Sequence, residues 1–112
     1  MNAPAYTVAR DRWSQTSIFE QMGNIYSEVG RSINAKRLGD NQSCEFAVIR
    51  ALDLFDATVE NLVKHGSVRS KEVLRAKDQF LHAIYDKDST PGQLADIDRY
   101  FMQFAIAARL NR

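Results

Sequence analysis

The chain has 112 residues, of which 45% are hydrophobic and 26% are charged, a composition typical of one globular domain rather than of two domains or a disordered segment. Lys and Arg number 15 against 14 for Asp and Glu, and the formal net charge of +1 provides no overall attraction to nucleic acid or to an anionic membrane. The single cysteine, Cys44, excludes an intrachain disulfide and a cysteine-rich metal site.

The sequence also indicates where the protein works. Residues 1–13 lack the uninterrupted apolar core of a secretory signal. No apolar run approaches the roughly 20 residues that a membrane-spanning helix needs. We therefore expect a cytoplasmic protein that does not enter the membrane.

Residues 1–13 have mixed polarity and no clear period, so we expect an extended or mobile N-terminal arm that docks through Trp13, on another subunit for example. The first predicted helix begins between Ser14 and Ser17. Ser17 and Glu20 have the spacing of a capping box, whereas a start at Ser14 would let Trp13 pack on Ile18. Apolar residues then recur every three or four positions, at Ile18, Met22, Ile25, Val29 and Ile33.

Three more helices are predicted. The second covers residues 41–65, with Asn41 as its cap and Gly66 after its end, and has the most regular apolar stripe. The third follows a cap at Ser67 or Ser70, and the fourth is capped by Thr90, with Pro91 in the first helical position. Because the connections are short, residues 14–112 predict a single all-α domain, an up-and-down antiparallel four-helix bundle.

The fourth helix is apolar around much of its circumference, which is typical of a helix that is central or covered by a second chain. We therefore predict self-association into a dimer or higher oligomer, and contact with another protein as a further possibility. The predicted interface residues are Trp13, Tyr100, Phe104, Ile106 and Leu110.

Candidate metal ligands are few. Asp53, Asp56 and Glu60 share one helical face, but no Glu-x-x-His motif accompanies them, and we interpret them as a solvated face. Asp78 and His82 have the spacing of an ordinary helix-surface pair. Cys44 lies in the first turn of a helix, where the dipole can lower a thiol pKa, but no activating partner is near in sequence. We predict no metal and no cofactor.

Arg75 and His82 form one candidate catalytic pair. An arginine followed by a histidine on a late helix of a small bundle resembles the signature of the HEPN ribonucleases. The resemblance implies that His82 acts on a 2′-hydroxyl while Arg75 holds the phosphate, across a dimer interface. Ala76 stands where that family usually carries a polar residue, and the residues alone favour a solvated arginine and a half-buried histidine.

Basic residues concentrate on the third helix and near the end of the chain, where they could form a local patch for RNA or an acidic partner. They are Arg69, Lys71, Arg75, Lys77, Arg99, Arg109 and Arg112. Because the acidic residues balance them overall, the sequence favours nucleic acid less than a protein partner.

Three stretches, IYSEVGRSI (25–33), RALDLFDATV (50–59) and YFMQFAIAARLNR (100–112), are similar to a group of short, uncharacterised, all-helical bacterial proteins. The resemblance implies a helical protein and brings no activity with it. Small residues in these and neighbouring stretches, among them Gly30 and Ala105, predict close helix packing. We conclude that a non-enzymatic bundle that works by association is the leading hypothesis, with a HEPN-like RNA-binding or RNA-cleaving bundle as the alternative.

Overall fold

The computed structural model describes residues 7–110, and every regular element in that range is a helix. The helices are α1 (Arg10–Ser14), α2 (Ile18–Arg37), α3 (Asn41–Lys64), α4 (Arg69–Tyr85) and α5 (Pro91–Leu110). The predicted all-α fold is confirmed, and α2 to α5 correspond to the four predicted helices. Residues 1–6 of the predicted arm and Arg112 of the predicted basic patch lie outside the described residues.

Two helices begin at the predicted capping boxes. The Ser17 hydroxyl accepts a hydrogen bond from the Glu20 N–H (3.1 Å), so α2 begins after Ser17 rather than at Ser14. At the start of α5, the Gln93 N–H donates to the Thr90 hydroxyl (3.2 Å), and the Thr90 N–H donates to the Gln93 side chain (2.8 Å). These reciprocal bonds satisfy backbone donors that have no partner within a helix.

The other two caps differ from the prediction. Asp40, not Asn41, caps α3, because its carboxylate accepts from the Ser43 N–H (3.1 Å). α4 has no side-chain cap at its N-cap position, where the sequence predicted Ser67 or Ser70. The Ser67 hydroxyl instead accepts from the Arg69 N–H (3.2 Å), which tightens the turn before the helix.

Glycines end α2 and α3. Gly39 has φ +75° and Gly66 has φ +66°, the left-handed conformation that favours glycine. The residue after each glycine donates its N–H back into the helix, from Asp40 to the Ala35 carbonyl and from Ser67 to the Leu62 carbonyl (both 2.9 Å). This is the Schellman arrangement, and it confirms the predicted helix stop at Gly66.

The four long helices pack in a ring, with α2 against α3 and α5, and α4 against the same two helices. Three fully buried phenylalanines join the helices that follow α2: Phe55 on α3, Phe80 on α4 and Phe101 on α5. The Phe55 ring centroid lies 6.1 Å from that of Phe80 and 5.7 Å from that of Phe101. Ile25, Val29 and Ile33 close the core from α2.

Residues 7–13 were predicted to be part of a mobile arm, but they pack against the bundle. α1 packs on α3, and Trp13 is only 6% exposed. Its indole Nε1–H donates to the Thr58 hydroxyl (3.0 Å), which is itself fully buried. A five-residue helix is not stable alone, so these tertiary contacts hold α1 in place.

Charged groups strengthen this attachment. The Val8 N–H donates to the Asp53 carboxylate (2.7 Å), and the Arg10 guanidinium lies 3.1 Å from Asp53 and 3.0 Å from Glu60. Asp53 is therefore not part of a solvated acidic face, as the sequence predicted, because the N-terminal segment covers it. Asp56 and Glu60 do remain exposed.

α2 and α3 are also joined by an ion pair. The buried carboxylate of Glu28 lies 2.7 Å from the Arg50 guanidinium on α3 and 2.6 Å from that of Arg31 on α2. Because a buried carboxylate is costly without partners, this pairing fixes how α2 and α3 face each other more than it adds stability.

α2 and α5 are in close contact at Gly23. A Cβ atom at this position would lie 3.3 Å from the Ala105 Cα, and 3.8 Å from the Ala108 Cβ. Close helix packing thus depends on Gly23 with the predicted small residues of α5. Gly30, which the sequence also assigned to close packing, faces only the side chain of Tyr26.

A matched pair of substitutions tests this contact. Gly30→Ala should raise the free energy of unfolding by about 0.5–1 kcal/mol, because alanine is the better helix former and the added Cβ makes an ordinary 3.7 Å contact. Gly23→Ala should give no such gain, because the α5 backbone must move. Urea unfolding followed by circular dichroism measures both, and equal gains would show that α2 and α5 are not closely packed.

The Trp13 hydrogen bond gives a second prediction. Thr58→Val keeps the side-chain shape but leaves a buried indole N–H without an acceptor, and should lower the free energy of unfolding by about 1–3 kcal/mol. The single tryptophan makes its fluorescence a direct readout.

Thr16→Val is the matched control. It removes a bond to the Trp13 carbonyl (2.7 Å), but that carbonyl also accepts from the Gln21 side chain (3.0 Å) and the Thr16 N–H (3.1 Å). Its effect should therefore be smaller, and a larger loss in the control would contradict the assignment.

Candidate interaction surface on the last helix

Three apolar side chains form a stripe along the outer face of α5. Met102, Ile106 and Leu110 are 36%, 48% and 78% exposed. They are four residues apart, so they lie one above another on the helix. The sequence predicted Ile106 and Leu110 as interface residues, and the structure places both on this stripe, which we call the α5 stripe. Met102 was missed, although its spacing to Ile106 was the available signal.

The other predicted interface residues lie elsewhere. Trp13 is inside the core of its own chain and is not available to a partner. Tyr100 and Phe104 are half-buried and pack against the core, with ring centroids 5.4 Å apart in an edge-to-face arrangement. The sequence predicted both as interface residues, but they make apolar contacts with the core of their own chain.

Tyr100 is fixed in orientation by α4. Its hydroxyl donates to the Glu72 carboxylate (3.0 Å), and its ring lies edge-to-face on Phe101 at 5.1 Å. Burial, followed by the hydrogen bond to Glu72, raises the pKa of Tyr100 to about 12. The neutral phenol of Tyr100 is therefore part of the contact between α5 and α4. The α5 stripe lies on the opposite side of α5.

A charged border surrounds the α5 stripe. Asp96 and Arg99 lie in the first half of the helix, 3.5 Å apart as an i,i+3 pair, and Arg109 lies in its last turn. Asp98 accepts a hydrogen bond from the Tyr26 hydroxyl (3.2 Å). An apolar centre with a charged edge is the usual anatomy of a protein interface.

The candidate catalytic pair does not form a site within the chain. Arg75 and His82 are both exposed on α4, and seven residues separate them by about 10 Å along the helix axis. The His82 side chain is 77% exposed, and its Nδ1 lies 3.8 Å from the Asp86 carboxylate. Its acidic neighbour is thus Asp86 rather than Asp78. The geometry lends no support to paired catalytic roles.

A cleft of about 330 Å³ lies between α4 and α5 beside His82. It is lined by Gln79, His82, Ala83, Gln93, Asp96 and Ile97. Arg75 is not among the lining residues, so the cleft does not bring a phosphate-holding group to the histidine.

The structure also shows where the remaining candidates from the sequence lie. Within residues 7–110, no group of three or more His, Cys, Asp or Glu side chains is arranged to hold a metal ion. Cys44 is buried, and burial raises the pKa of its thiol, in contrast to the lowering by the helix dipole that the sequence suggested. No helix in the described part of the chain is both long and apolar enough to cross a membrane.

Comparisons with protein-family models, with curated proteins and with solved structures found no match to this chain. The resemblances stated from the sequence stay predictions, and any function has to be argued from the surface itself.

The raised pKa of Tyr100 gives a testable pH dependence. An unfolded tyrosine ionises near pH 10, so the neutral phenol contributes stability that is fully present below that pH and is lost as pH rises towards 12. Stability of the wild type should fall over this range more steeply than that of Tyr100→Phe.

The absorbance of tyrosinate, followed as the pH is raised from neutral to alkaline values, checks the assignment directly. The difference between the titrations of wild type and Tyr100→Phe isolates this one phenol, and circular dichroism at each pH verifies that both remain folded. A difference curve centred at the ordinary tyrosine pKa would show that Tyr100 is not packed between α5 and α4.

Proposed function

We propose that the protein is a non-enzymatic helical module that works by association, first with a second copy of itself through the α5 stripe. The observation that carries the proposal is the exposure of Met102, Ile106 and Leu110 on one face of a helix whose opposite face packs against the core. Apolar side chains aligned in this way commonly mark a surface that is covered in an assembly.

Charge favours an antiparallel arrangement of two α5 helices. The carboxylates of Asp96 and Asp98 lie in the first half of α5, and Arg109 lies in its last turn. An antiparallel pair brings the acidic half of each helix towards the arginine of the other, whereas a parallel pair aligns like charges. A two-fold symmetric contact of this kind is the commonest form of homodimer.

An interface of stable size needs more surface than the α5 stripe alone. A stable contact buries about 800 Å² on each partner, more than three side chains provide. The α5 stripe therefore acts as the apolar centre, and the charged residues around it form the rim. The near-neutral net charge of +1 leaves little repulsion between two copies.

Light scattering after gel filtration tests the proposal with the purified chain. At micromolar concentration, the wild type should have twice the mass of one chain. Ile106→Glu places a charge at the middle of the α5 stripe and should shift the protein to a monomer, since burying an unpaired carboxylate is costly.

Val63→Glu is the matched control. Val63 is 62% exposed on α3, so this substitution introduces the same charge on an apolar surface residue outside the α5 stripe. It should leave the dimer intact. A wild-type monomer over the whole micromolar range, or equal dissociation of both variants, would reject the proposed self-association.

A further inference from the structure

Charged side chains are distributed unequally between the two ends of the bundle. One end holds α1, the beginnings of α2 and α4, and the ends of α3 and α5. At this end, which we call the basic end, Lys and Arg outnumber Asp and Glu. The basic residues are Arg10, Arg12, Lys64, Arg69, Lys71, Arg75 and Arg109, and the acidic residues are Asp11, Glu20, Glu60 and Glu72.

At the opposite end the acidic residues predominate. They are Asp40, Glu45, Asp86, Asp88, Asp96 and Asp98, against Lys36, Arg37, Lys87 and Arg99. The formal net charge of the whole chain is therefore near zero because two oppositely charged ends cancel.

Most cations at the basic end, unlike Arg10, are available for a ligand. Lys64, Arg69, Lys71 and Arg75 are exposed, and within residues 7–110 none of their side chains lies in an ion pair. Several cations elsewhere in the bundle are instead paired within the chain, as Arg50 is with Glu28. A ligand that binds the basic end therefore does not have to break existing pairs.

Three of the acidic residues at the opposite end already have partners within the chain. Asp40 is engaged in capping α3, Asp86 accepts from the Asp88 N–H (3.0 Å) beside His82, and Asp96 is paired with Arg99. Their hydrogen-bonding capacity is partly used within the chain. The unpaired cations instead match an anion supplied from outside.

The arrangement of the cations indicates a long anion rather than a small one. They are contributed by α1, α3, α4 and α5 and are spread across the end of the bundle. On α4, Lys71 and Arg75 are one turn apart, which places their Cβ atoms about 5–6 Å from each other. Arginine, which predominates here, binds phosphate with two parallel hydrogen bonds and remains charged at every physiological pH.

We propose that the basic end binds the phosphate backbone of a nucleic acid, independently of base sequence. The interaction is electrostatic binding without cleavage. Apart from Arg109, which also borders the α5 stripe, it uses residues outside that stripe. Binding of this kind releases counterions, so its affinity falls steeply as salt increases.

Fluorescence anisotropy with a labelled single-stranded RNA of mixed sequence, and in parallel a labelled DNA duplex, tests the proposal on the full chain. The wild type should bind at 50 mM salt and lose affinity at higher salt. The double variant Lys71→Gln/Arg75→Gln should bind the RNA at least tenfold more weakly. A plot of log binding constant against log salt concentration should have a slope smaller in magnitude by about 1.4, if both side chains contact phosphate.

The control is Arg37→Gln/Lys87→Gln at the opposite end. It also removes one arginine and one lysine, both exposed and, among the described contacts, without an ion pair, so both double variants have the same net charge. Its affinity should stay within twofold of the wild type. Circular dichroism verifies the fold of each variant.

Three results would overturn the proposal. One is the absence of wild-type binding to either nucleic acid at 50 mM salt. Another is an equal loss of affinity in the two double variants, which would mean that only net charge matters. The last is competition by polyglutamate as effective as that by unlabelled RNA of equal charge, which would identify an acidic polypeptide as the better partner.

Discussion

The contact among Phe55, Phe80 and Phe101 sets the geometry on which the rest of the structure depends. Each ring comes from a different helix and is fully buried, so the three helices have one rotational setting relative to one another. For α5 this constraint is decisive. With Phe101 directed inward and Tyr100 held against α4, Met102 and Ile106 lie on the outer side of α5, and both are apolar. The α5 stripe is thus a consequence of the core rather than an isolated surface feature.

The sequence predicts this architecture because helix periodicity and capping are local. Ser17 with Glu20, and Thr90 with Gln93, lie within one turn of each other. The structure confirms the reciprocal box at Thr90 and the side-chain cap at Ser17. The docking of α1 could not be predicted in the same way. Trp13 bonds to a residue 45 positions away, and no local pattern identifies that partner. The same reason explains why Asp53 was assigned to solvent.

The candidate surface was only partly predictable. The excess apolar character of α5 was visible in the sequence, but which side faces outward depends on Phe101 and on the hydrogen bond from Tyr100 to Glu72. The distribution of charge was hidden for a related reason. The net charge is a sum over the whole sequence and does not show where the charges lie. Folding brings together helix ends that are distant in sequence, and basic residues gather at one end of the bundle while acidic residues gather at the other.

The contact between Trp13 and Thr58 has a consequence for the order in which the protein forms on the ribosome. α1 is synthesised before α3, yet it is too short to persist alone and requires a binding surface on α3. The indole therefore remains exposed until α3 has emerged and packed. During synthesis this leaves an aromatic residue open to chaperones, although it is among the buried residues of the finished molecule.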